Sequence, residues 1–341
     1  MLRPIALRDD NFTPTSRTPW GGTRISQRYK RLENTVVIGE SWELSVEPDF
    51  PSVTVEGEPL RDVLARDPEG YLGRESSRGS TALLVKLLDA ADELSVQIHP
   101  SDDYAGLAAD ESGKPECWYV AERDPGAGVY LGLREGVTEA AMREALDAGG
   151  DVSALLAFVP VEVGDFLLID AGTAHAIGRG LTLVEPQRVV PGRRGVTYRY
   201  WDWNRRYDRD GRLDPSGAPR PLHVAHALAV TRWDAPRGDD FLAVARVRAG
   251  APRVRDRAKV LPLCGRSEGL RSDALQVARL AGTGAVALPA WGSLVGITVL
   301  AGTVSIAKVR ANAGETLVIP AALGGAEARC DGAHAVLSAV Y

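Results

Sequence analysis

The chain has 341 residues and a formal net charge of −5, with 45% hydrophobic and 25% charged residues, as in an ordinary globular protein of two or three subdomains. The negative charge and the absence of a basic stripe argue against a nucleic-acid-binding surface. No apolar run approaches the roughly 18 residues that span a bilayer, and residues 1–10 lack the apolar core of a signal peptide.

The three cysteines, Cys117, Cys264 and Cys330, are widely separated and form no CxxC motif. This spacing predicts free thiols rather than structural disulfides, as expected in a reducing compartment. We therefore expect a cytoplasmic protein that has neither nucleic acid nor a membrane as a partner.

Short runs of β-branched residues, separated by glycine and proline, dominate the chain. The pattern predicts strands at 36–46, 82–88, 94–99, 116–121 and 165–170. Helical patterns are fewer and fall at 59–65, 138–147, 152–158 and 222–230, with Asp151 as N-cap of the third and Pro160 ending it. Many strands and few helices predict a mainly β fold, a barrel or a sandwich with helical insertions.

One segment of the chain is repeated near its end. Residues 164–171, a Gly-acid turn followed by a strand, reappear at 314–321. The first copy continues to His175, whereas the second continues without a metal-type ligand. The repeat predicts two related β-barrels, with residues 1–235 forming the first, including a helical insertion at about 134–160, and residues 236–341 forming a second barrel without a metal.

Four side chains of metal-ligand type lie on or beside the predicted strands. Strand alternation in 94–99 directs Gln97 and His99 to the same face, and Glu116 and His175 follow. Two imidazoles, a carboxylate and an amide oxygen form a mixed N/O set that suits zinc or a neighbouring divalent metal. Taken alone, a Gln-His pair in a strand is more often engaged in hydrogen bonds within a core.

The segment 164–175 resembles the second half of a cupin signature, with Asp170 where proline is usual. The first half is altered, because Gln97-Ile98-His99 stands where His-x-His is common and the glutamate is postponed to Glu116. This altered pattern resembles the class I phosphomannose isomerase family. The further motifs that carry the resemblance are PWGG at 19–22, GESWELS at 39–45, LLVKLLDA at 83–90, LSVQIHPSDD at 94–103, GKPECWYV at 113–120, GTAHAIG at 172–178 and TYRYWDW at 197–203.

The resemblance implies a jelly-roll barrel of the cupin type and a zinc-dependent enzyme that interconverts mannose 6-phosphate and fructose 6-phosphate through a cis-enediol. It implies Gln97, His99, Glu116 and His175 as the metal ligands. It further implies Arg199 as a catalytic arginine, Lys114 and Glu185 as polar residues of the sugar site, and Ser95 as a phosphate contact. The group that transfers the proton stays open at this point, with Glu185 or a metal-linked water as candidates.

Two further side chains are assigned to the substrate site from their positions. Lysine is rare, five of the 40 basic residues, and Lys86 and Lys114 both lie in segments that carry ligands. Lys86 either lines the site or extends along aliphatic neighbours. Trp20 either forms the floor of the sugar pocket or packs in the core. His223, His226 and His334 are interpreted as structural residues.

The chain departs from the family between Glu185 and Arg199, where an apparent insertion of four residues lies around 191–194. Either Arg193 or Arg194 joins the phosphate contacts, or the substrate preference has shifted. Two alternatives therefore accompany the isomerase hypothesis. The first is another metal-cupin enzyme, such as a dioxygenase or an isomerase of a different sugar phosphate, and the second is a sugar-phosphate-binding protein without turnover. A monomer and a small homo-oligomer are equally compatible with the sequence.

Overall fold

The structure is a computed structural model that describes residues 2–341. Its strands are β1 Ile5–Ala6, β2 Glu40–Leu44, β3 Leu83–Ala90, β4 Val96–Ile98, β5 Glu111–Ser112, β6 Glu116–Arg123, β7 Gly128–Leu133, β8 Leu156–Pro160, β9 Asp165–Ile169, β10 His175–Ile177, β11 Leu181–Arg188, β12 Arg194–Gly195, β13 Tyr198–Trp201, β14 Arg246–Arg248, β15 Lys259–Gly265, β16 Leu270–Arg271, β17 Leu275–Ala287, β18 Val295–Ile306, β19 Val309–Asn312, β20 Thr316–Ile319 and β21 Glu327–Val340.

The helices are α1 Leu60–Leu64, α2 Pro68–Leu72, α3 Glu139–Asp147, α4 Val224–Val230 and α5 Gly238–Ala245, with single turns of other helix types at Ile25–Tyr29, Ser76–Arg78, Val152–Leu155 and Ala321–Leu323. The predicted mainly β fold is therefore confirmed. Within residues 2–341, no helix combines the length and the apolar composition needed to cross a bilayer.

Three sheets contain most of the strands. A six-stranded sheet has the order β14-β9-β6-β11-β3-β2, and a five-stranded sheet has the order β13-β4-β10-β7-β8. An eight-stranded sheet has the order β1-β20-β18-β21-β17-β15-β16, with β19 paired to β18. Because β1 pairs with β20, this third sheet contains strands from both ends of the chain. The division at residues 235 and 236 stays a prediction.

The six-stranded sheet lies between the other two, and side-chain alternation along β6 shows how. Cys117 and Tyr119 belong to the apolar core that includes residues of the eight-stranded sheet. Trp118 and Val120 belong to the core that includes Val129 and other residues of the five-stranded sheet. Both faces of the central sheet are thus covered, which explains why β3 is buried along its whole length.

The repeated segment has the same backbone form in both copies. Gly164 and Gly314 have φ values of 92° and 90°, and each precedes a strand, β9 or β20. A Cβ at either glycine would lie 2.0 Å from a backbone oxygen, that of Gly250 or that of Tyr29. Only glycine fits such a turn. The interpretation of the repeat as two related barrels stays a prediction.

Two of the predicted elements are wrong in part. Residues 156–158 are not helical: they belong to β8, which pairs with β7, because Leu156 and Val159 are buried against that neighbouring strand. The local helical pattern therefore yields to a long-range pairing. The strand predicted at 36–46 is shorter and covers only β2, since Val36 and Val37 are exposed.

The other predicted elements are confirmed within one or two residues. Helix α3 begins after Thr138, whose hydroxyl accepts the N–H of Ala141 at 3.3 Å, as an N-cap does. Asp151 caps a single 3₁₀ turn by accepting the N–H of Ser153 at 2.9 Å. The three cysteines are free and buried, as predicted.

A buried ion pair joins residues near the start of the chain to the region of β20 in the eight-stranded sheet. Lys30 Nζ lies 2.6 Å from Glu43 Oε1 and also donates to the carbonyl oxygen of Gly314 at 2.6 Å. Glu43 Oε2 accepts from the Thr316 hydroxyl at 3.1 Å. Both charged side chains are at most 2% exposed, so each charge depends on the other for compensation.

We expect Glu43→Gln to lower the free energy of unfolding by about 3 kcal/mol, because it leaves the Lys30 charge buried without its counter-ion. Urea denaturation measures this loss. Glu56→Gln is the matched control: it breaks the exposed pair with Arg3 and should cost less than about 1 kcal/mol. Equal losses in the two variants would contradict the assigned role of the Lys30–Glu43 pair.

Candidate metal centre and active-site cleft

A cleft of about 300 Å³ opens between the six-stranded and five-stranded sheets. Its lining includes many of the residues predicted for the site: Trp20, Lys86, Ser95, Gln97, Lys114, Glu185, Arg194 and Arg199. It also includes residues that sequence reasoning missed, among them Arg17, Glu40, Trp42, Gln187 and Arg220. The cleft thus brings together side chains from segments up to about two hundred residues apart.

The six-stranded sheet supplies one wall of the cleft through strand alternation. Glu116 points to the same face as Trp118, towards the five-stranded sheet. On the next strand, Gln187 pairs with Glu116 and Glu185 pairs with Lys86. Four polar side chains are therefore placed side by side by the register of β6, β11 and β3.

The five-stranded sheet supplies the opposite wall. Gln97 on β4 lies directly between His175 on β10 and Arg199 on β13, each in register with it. His99 follows two residues after Gln97 on the same face. Three neighbouring strands therefore bring one amide, two imidazoles and one guanidinium to the same region.

His99, Glu116 and His175 form a group, the metal-type group, whose potential ligand atoms all lie within 4.8 Å of one another. His99 Nε2 is 3.1 Å from Glu116 Oε2, and His175 Nε2 is 3.5 Å from Glu116 Oε1. All three side chains are at most 1% exposed. The geometry is that of a buried site for a divalent metal.

Backbone carbonyls orient both imidazoles. His99 Nδ1 lies 3.0 Å from the carbonyl oxygen of Val196, and His175 Nδ1 lies 2.8 Å from that of Thr173. A carbonyl only accepts, so each Nδ1 carries the proton and each Nε2 presents its lone pair to Glu116. Metal-binding histidines are held by this kind of outer contact.

The residues present fit a divalent cation. Burial first, and then the charge of Lys114, lower the pKa of His99, and burial lowers that of His175 to about 3, so both rings are neutral. His99 Nε2 and Glu116 Oε1 are buried and have no hydrogen-bond partner among the described residues. Lone pairs that face a carboxylate at this depth need a cation between them.

Gln97 stands at the edge of this group. Its Nε2 lies 3.4 Å from His175 Nε2, and its Oε1 accepts from the Ser95 hydroxyl at 3.3 Å. The two ends of an amide have the same shape, so a half-turn presents the oxygen to the metal-type group. Ser95 is itself 3% exposed and lines the cleft beside Gln97.

Glu185 is a buried carboxyl beside the metal-type group. Burial first, and then the charge of Glu116, raise the pKa of Glu185 to about 8, although Lys86 and Lys114 oppose the shift. Its Oε1 accepts from Trp118 Nε1 at 3.0 Å, and its Oε2 lies 3.9 Å from Lys86 Nζ. A carboxyl that titrates near neutrality can both take up and release a proton.

Two lysines are held in the cleft by carboxylates and an aromatic ring. Lys114 Nζ lies 3.4 Å from Glu116 Oε2. Lys86 Nζ lies 3.6 Å from Glu40 Oε2 and 4.6 Å from the centroid of the Trp42 ring. The ammonium group of Lys86 thus faces the cleft instead of merely extending along aliphatic neighbours.

One end of the cleft is rich in arginine. Arg199 donates from Nη1 to the carbonyl oxygen of Pro221 at 2.8 Å, and its Nε is buried without a partner among the described residues. Burial, and then the nearby charge of Arg220, lower the pKa of Arg199 to about 10. Arg220 is fixed by two bonds to Asp202, at 2.7 and 2.6 Å. This end of the cleft suits an anion.

The inserted loop folds away from the centre. Strand β12 pairs in parallel with β5, and Arg194 bonds Glu111 Oε1 at 2.6 Å while its side chain stays 68% exposed. Arg194 lines the rim of the cleft, whereas Arg193 is exposed and reaches the carbonyl oxygen of Glu111 at 3.5 Å. Phosphate contact by either arginine stays a prediction.

The site residues that sequence reasoning missed differ in how strong a signal the sequence carries for them. Gln187 follows Glu185 by two residues in a strand, so alternation alone could have indicated it. Arg17 and Arg220 sit in irregular segments, and no local pattern in the sequence connects them to the ligands.

The fold and the site define a mainly β protein with a buried group that can hold a divalent metal. Residues 15–122 match the model of the family "Phosphomannose isomerase type I, catalytic domain". The chain is similar to the mannose-6-phosphate isomerase of Streptococcus mutans, with 36% identity over 215 residues that cover 62% of this chain and 63% of the relative. It is also similar to the mannose-6-phosphate isomerase ManA of Bacillus subtilis, with 31% identity over 62% of this chain and 64% of the relative.

These alignments span slightly less than two thirds of the relatives' lengths. Among solved structures, the chain is similar to a mannose 6-phosphate isomerase from Bacillus subtilis, with a TM-score of 0.77, 23% identity and 99% of both chains covered. A putative mannosephosphate isomerase from Archaeoglobus fulgidus has a TM-score of 0.71 and 19% identity, with 100% of this chain and 98% of that one covered. The resemblance to the class I phosphomannose isomerase family is confirmed.

We expect the protein to bind one divalent cation at His99, Glu116 and His175, and Glu116→Gln to abolish this binding because it removes the only carboxylate of the group. Isothermal titration with Zn²⁺ on chelator-treated protein measures the stoichiometry. Glu56→Gln, on the surface, should bind as the unmodified protein does. Retained stoichiometric binding by the folded Glu116→Gln variant would contradict the assignment of the site.

The raised pKa of Glu185 predicts how stability depends on pH. Between the usual carboxyl pKa of 4.5 and the folded value of about 8, the folded state holds a proton that the unfolded state has lost. Stability therefore falls as the pH rises through this window, by at most about 1.4 kcal/mol per pH unit. We expect Glu185→Gln, measured by urea denaturation of metal-free protein between pH 5 and 8, to flatten that fall. An unchanged slope would contradict the assigned pKa.

Proposed function

We propose that this protein is a metal-dependent aldose–ketose isomerase that interconverts mannose 6-phosphate and fructose 6-phosphate through a cis-enediol. One observation carries the proposal. A single cleft contains a carboxyl that titrates near neutrality and an arginine-rich end, and it lies against the buried metal-type group. Two of its lining residues touch that group, Gln97 at His175 and Lys114 at Glu116. A sugar phosphate has the matching parts: vicinal oxygens, a C–H proton to be moved and a dianionic end.

We propose zinc as the metal, held by Gln97, His99, Glu116 and His175. The mixed nitrogen and oxygen set, with neutral imidazoles, suits Zn²⁺. When bound, such a cation acts as a Lewis acid that stabilises negative charge on the sugar oxygens. The free, buried cysteines agree with a cytoplasmic location, which is proposed with the function.

The reaction moves a proton between two adjacent carbons. The C2 proton of the aldose leaves, a proton is returned to C1, and one hydroxyl proton passes from O2 to O1. We propose Glu185 as the group that takes the proton from C2 and returns it to C1, because its carboxyl can exist in both states near neutral pH. Trp118 holds one oxygen of this carboxyl and so fixes its orientation.

Lys114 and Lys86 are proposed to hold sugar oxygens while charge develops on them. Both ammonium groups lie within 4 Å of carboxylates of the site, which keeps them at fixed positions in the cleft. A fixed cation stabilises an enediolate oxygen without reorganisation during the reaction. Trp20, which is 4% exposed, is proposed as the floor of the sugar pocket.

The phosphate is proposed to lie at the arginine-rich end. Arg199, the proposed catalytic arginine, has a free buried donor there, and Arg220 stands close enough to depress its pKa. A dianion between two guanidinium groups relieves their repulsion. Ser95, Arg193 and Arg194 are proposed as additional contacts, with Arg194 at the rim of the cleft.

We expect purified, zinc-loaded protein to convert mannose 6-phosphate into fructose 6-phosphate, measured by a coupled assay for the ketose. Glu185→Gln should lower kcat by about 100-fold or more, because it removes the proton carrier. The double variant Gln97→Ala/His175→Ala should be inactive, and Glu56→Gln should be unaffected.

Two other results would identify the alternatives. Tight binding of mannose 6-phosphate without exchange would indicate a non-catalytic binding protein. Oxygen consumption by iron-loaded protein would indicate a dioxygenase of the cupin class. Turnover with a different sugar phosphate, and not with mannose 6-phosphate, would indicate an isomerase that acts on another substrate. The inserted loop at 191–194 makes this outcome worth testing.

A further inference from the structure

The segment 221–223 grips Arg199 at three points. The backbone N–H of His223 donates to the carbonyl oxygen of Arg199 at 2.8 Å. The backbone N–H of Arg199 in turn donates to the imidazole Nδ1 of His223 at 3.2 Å. The guanidinium Nη1 of Arg199 donates to the carbonyl oxygen of Pro221 at 2.8 Å. Main chain and side chain of this arginine are therefore both anchored to the residues that precede α4.

From this geometry we propose that His223 is a positioning residue. It holds Arg199 in the position that the proposed reaction requires only while the His223 imidazole is neutral. The inference rests on the proposed function, because it concerns the arginine assigned to that reaction. Nδ1 accepts an N–H bond through its lone pair. Protonation converts Nδ1 into a donor, which then faces another donor, the N–H of Arg199, and the contact is lost.

The surroundings of His223 favour the neutral ring. Burial, then the charge of Arg199, then His226 lower the pKa of His223 below its ordinary value of 6.5. On the neighbouring strand β13, the Tyr198 ring lies 6.1 Å away, and it stacks on His226 at 4.8 Å. Arg199, His226 and Tyr198 are the titratable groups that face this imidazole in the structure, and none of them is a carboxylate.

The consequence is an acid limit on turnover, that is, a fall in kcat when the pH drops below the pKa of His223. Below the depressed pKa of His223, Arg199 loses one of its two backbone bonds to His223, and β13 can shift relative to Gln97, its partner on β4. A displaced guanidinium holds the substrate less well in the transition state, so kcat falls more than KM rises. Above that pKa the contact is complete.

Two substitutions separate this role from simple packing. His223→Asn places an amide oxygen where Nδ1 stands, so it keeps an acceptor that cannot titrate. His223→Leu keeps the volume and removes the acceptor. We expect kcat at pH 8 to fall about tenfold in His223→Leu and less than threefold in His223→Asn, and we expect the acid limit assigned to His223 to vanish in His223→Asn. His226→Asn is the matched control: it should keep the acid limit and move it to higher pH, because His226 is one of the groups that lower the pKa of His223.

A second measurement is independent of turnover. The backbone amide of Arg199, followed by NMR in the full-length protein, should shift as the pH is lowered through the pKa of His223, and this shift should disappear in His223→Asn. A pH-independent amide signal would overturn the inference even in an active enzyme. If the amide titrates as expected while the protein lacks isomerase activity, the positioning role stands and the proposed function fails. Equal activities and equal pH profiles in His223→Leu and His223→Asn would also overturn it.

Discussion

The arrangement of the rest of this site depends on one carboxylate that is fully buried between two apolar layers. Glu116 has no exposed surface, and a charge at that depth is tolerated only if other groups compensate for it. Lys114 and the Gln187 amide contact Glu116 Oε2, at 3.4 and 2.8 Å. Glu116 Oε1 has no hydrogen-bond partner within residues 2–341, and the lone pairs of two imidazoles face the same carboxylate. The metal-type group thus follows from the cost of burying this side chain.

The register of six strands converts that group into a two-sided site. On one wall, the pairs Glu116–Gln187 and Lys86–Glu185 are direct neighbours. On the other wall, Gln97 stands between two cross-strand partners. A slip of one residue in any of these pairings would turn its polar side chains into the apolar layers. The packing of Trp118 and Cys117 on opposite faces of β6 makes such a slip expensive, and so protects the site.

The local elements were largely predictable because their signals are local. Asp151 caps the turn that follows it, as predicted, and the helix predicted from Thr138 begins one residue later with Thr138 as its N-cap. Alternation within 94–99 placed Gln97 and His99 on one face. The helix predicted at 156–158 is wrong because the contact that decides the structure there is not local. Residues 156–158 have a helical pattern, but pairing with β7 overrides it, and that pairing depends on a strand more than twenty residues away.

The site shows the same division. The four ligand-type residues and Arg199 could be selected from motif resemblance, and the structure brings them together. Arg17 and Arg220 could not be selected, because they come from irregular segments whose approach to the cleft is decided by packing. His223 was interpreted as a structural residue, and only the folded chain shows that its ring meets the backbone of Arg199.

The sequence by itself determined which residue types are available, the strand and helix signals, and the family that the motifs resemble, since each depends on neighbours in the chain. Only the tertiary structure decided which side chains contact one another and how their pKa values shift. Glu185 and Glu116 are both glutamates in strands, yet burial beside Glu116 raises the pKa of Glu185 to about 8. That difference arises from desolvation and from charges contributed by other strands, which no local stretch of sequence contains.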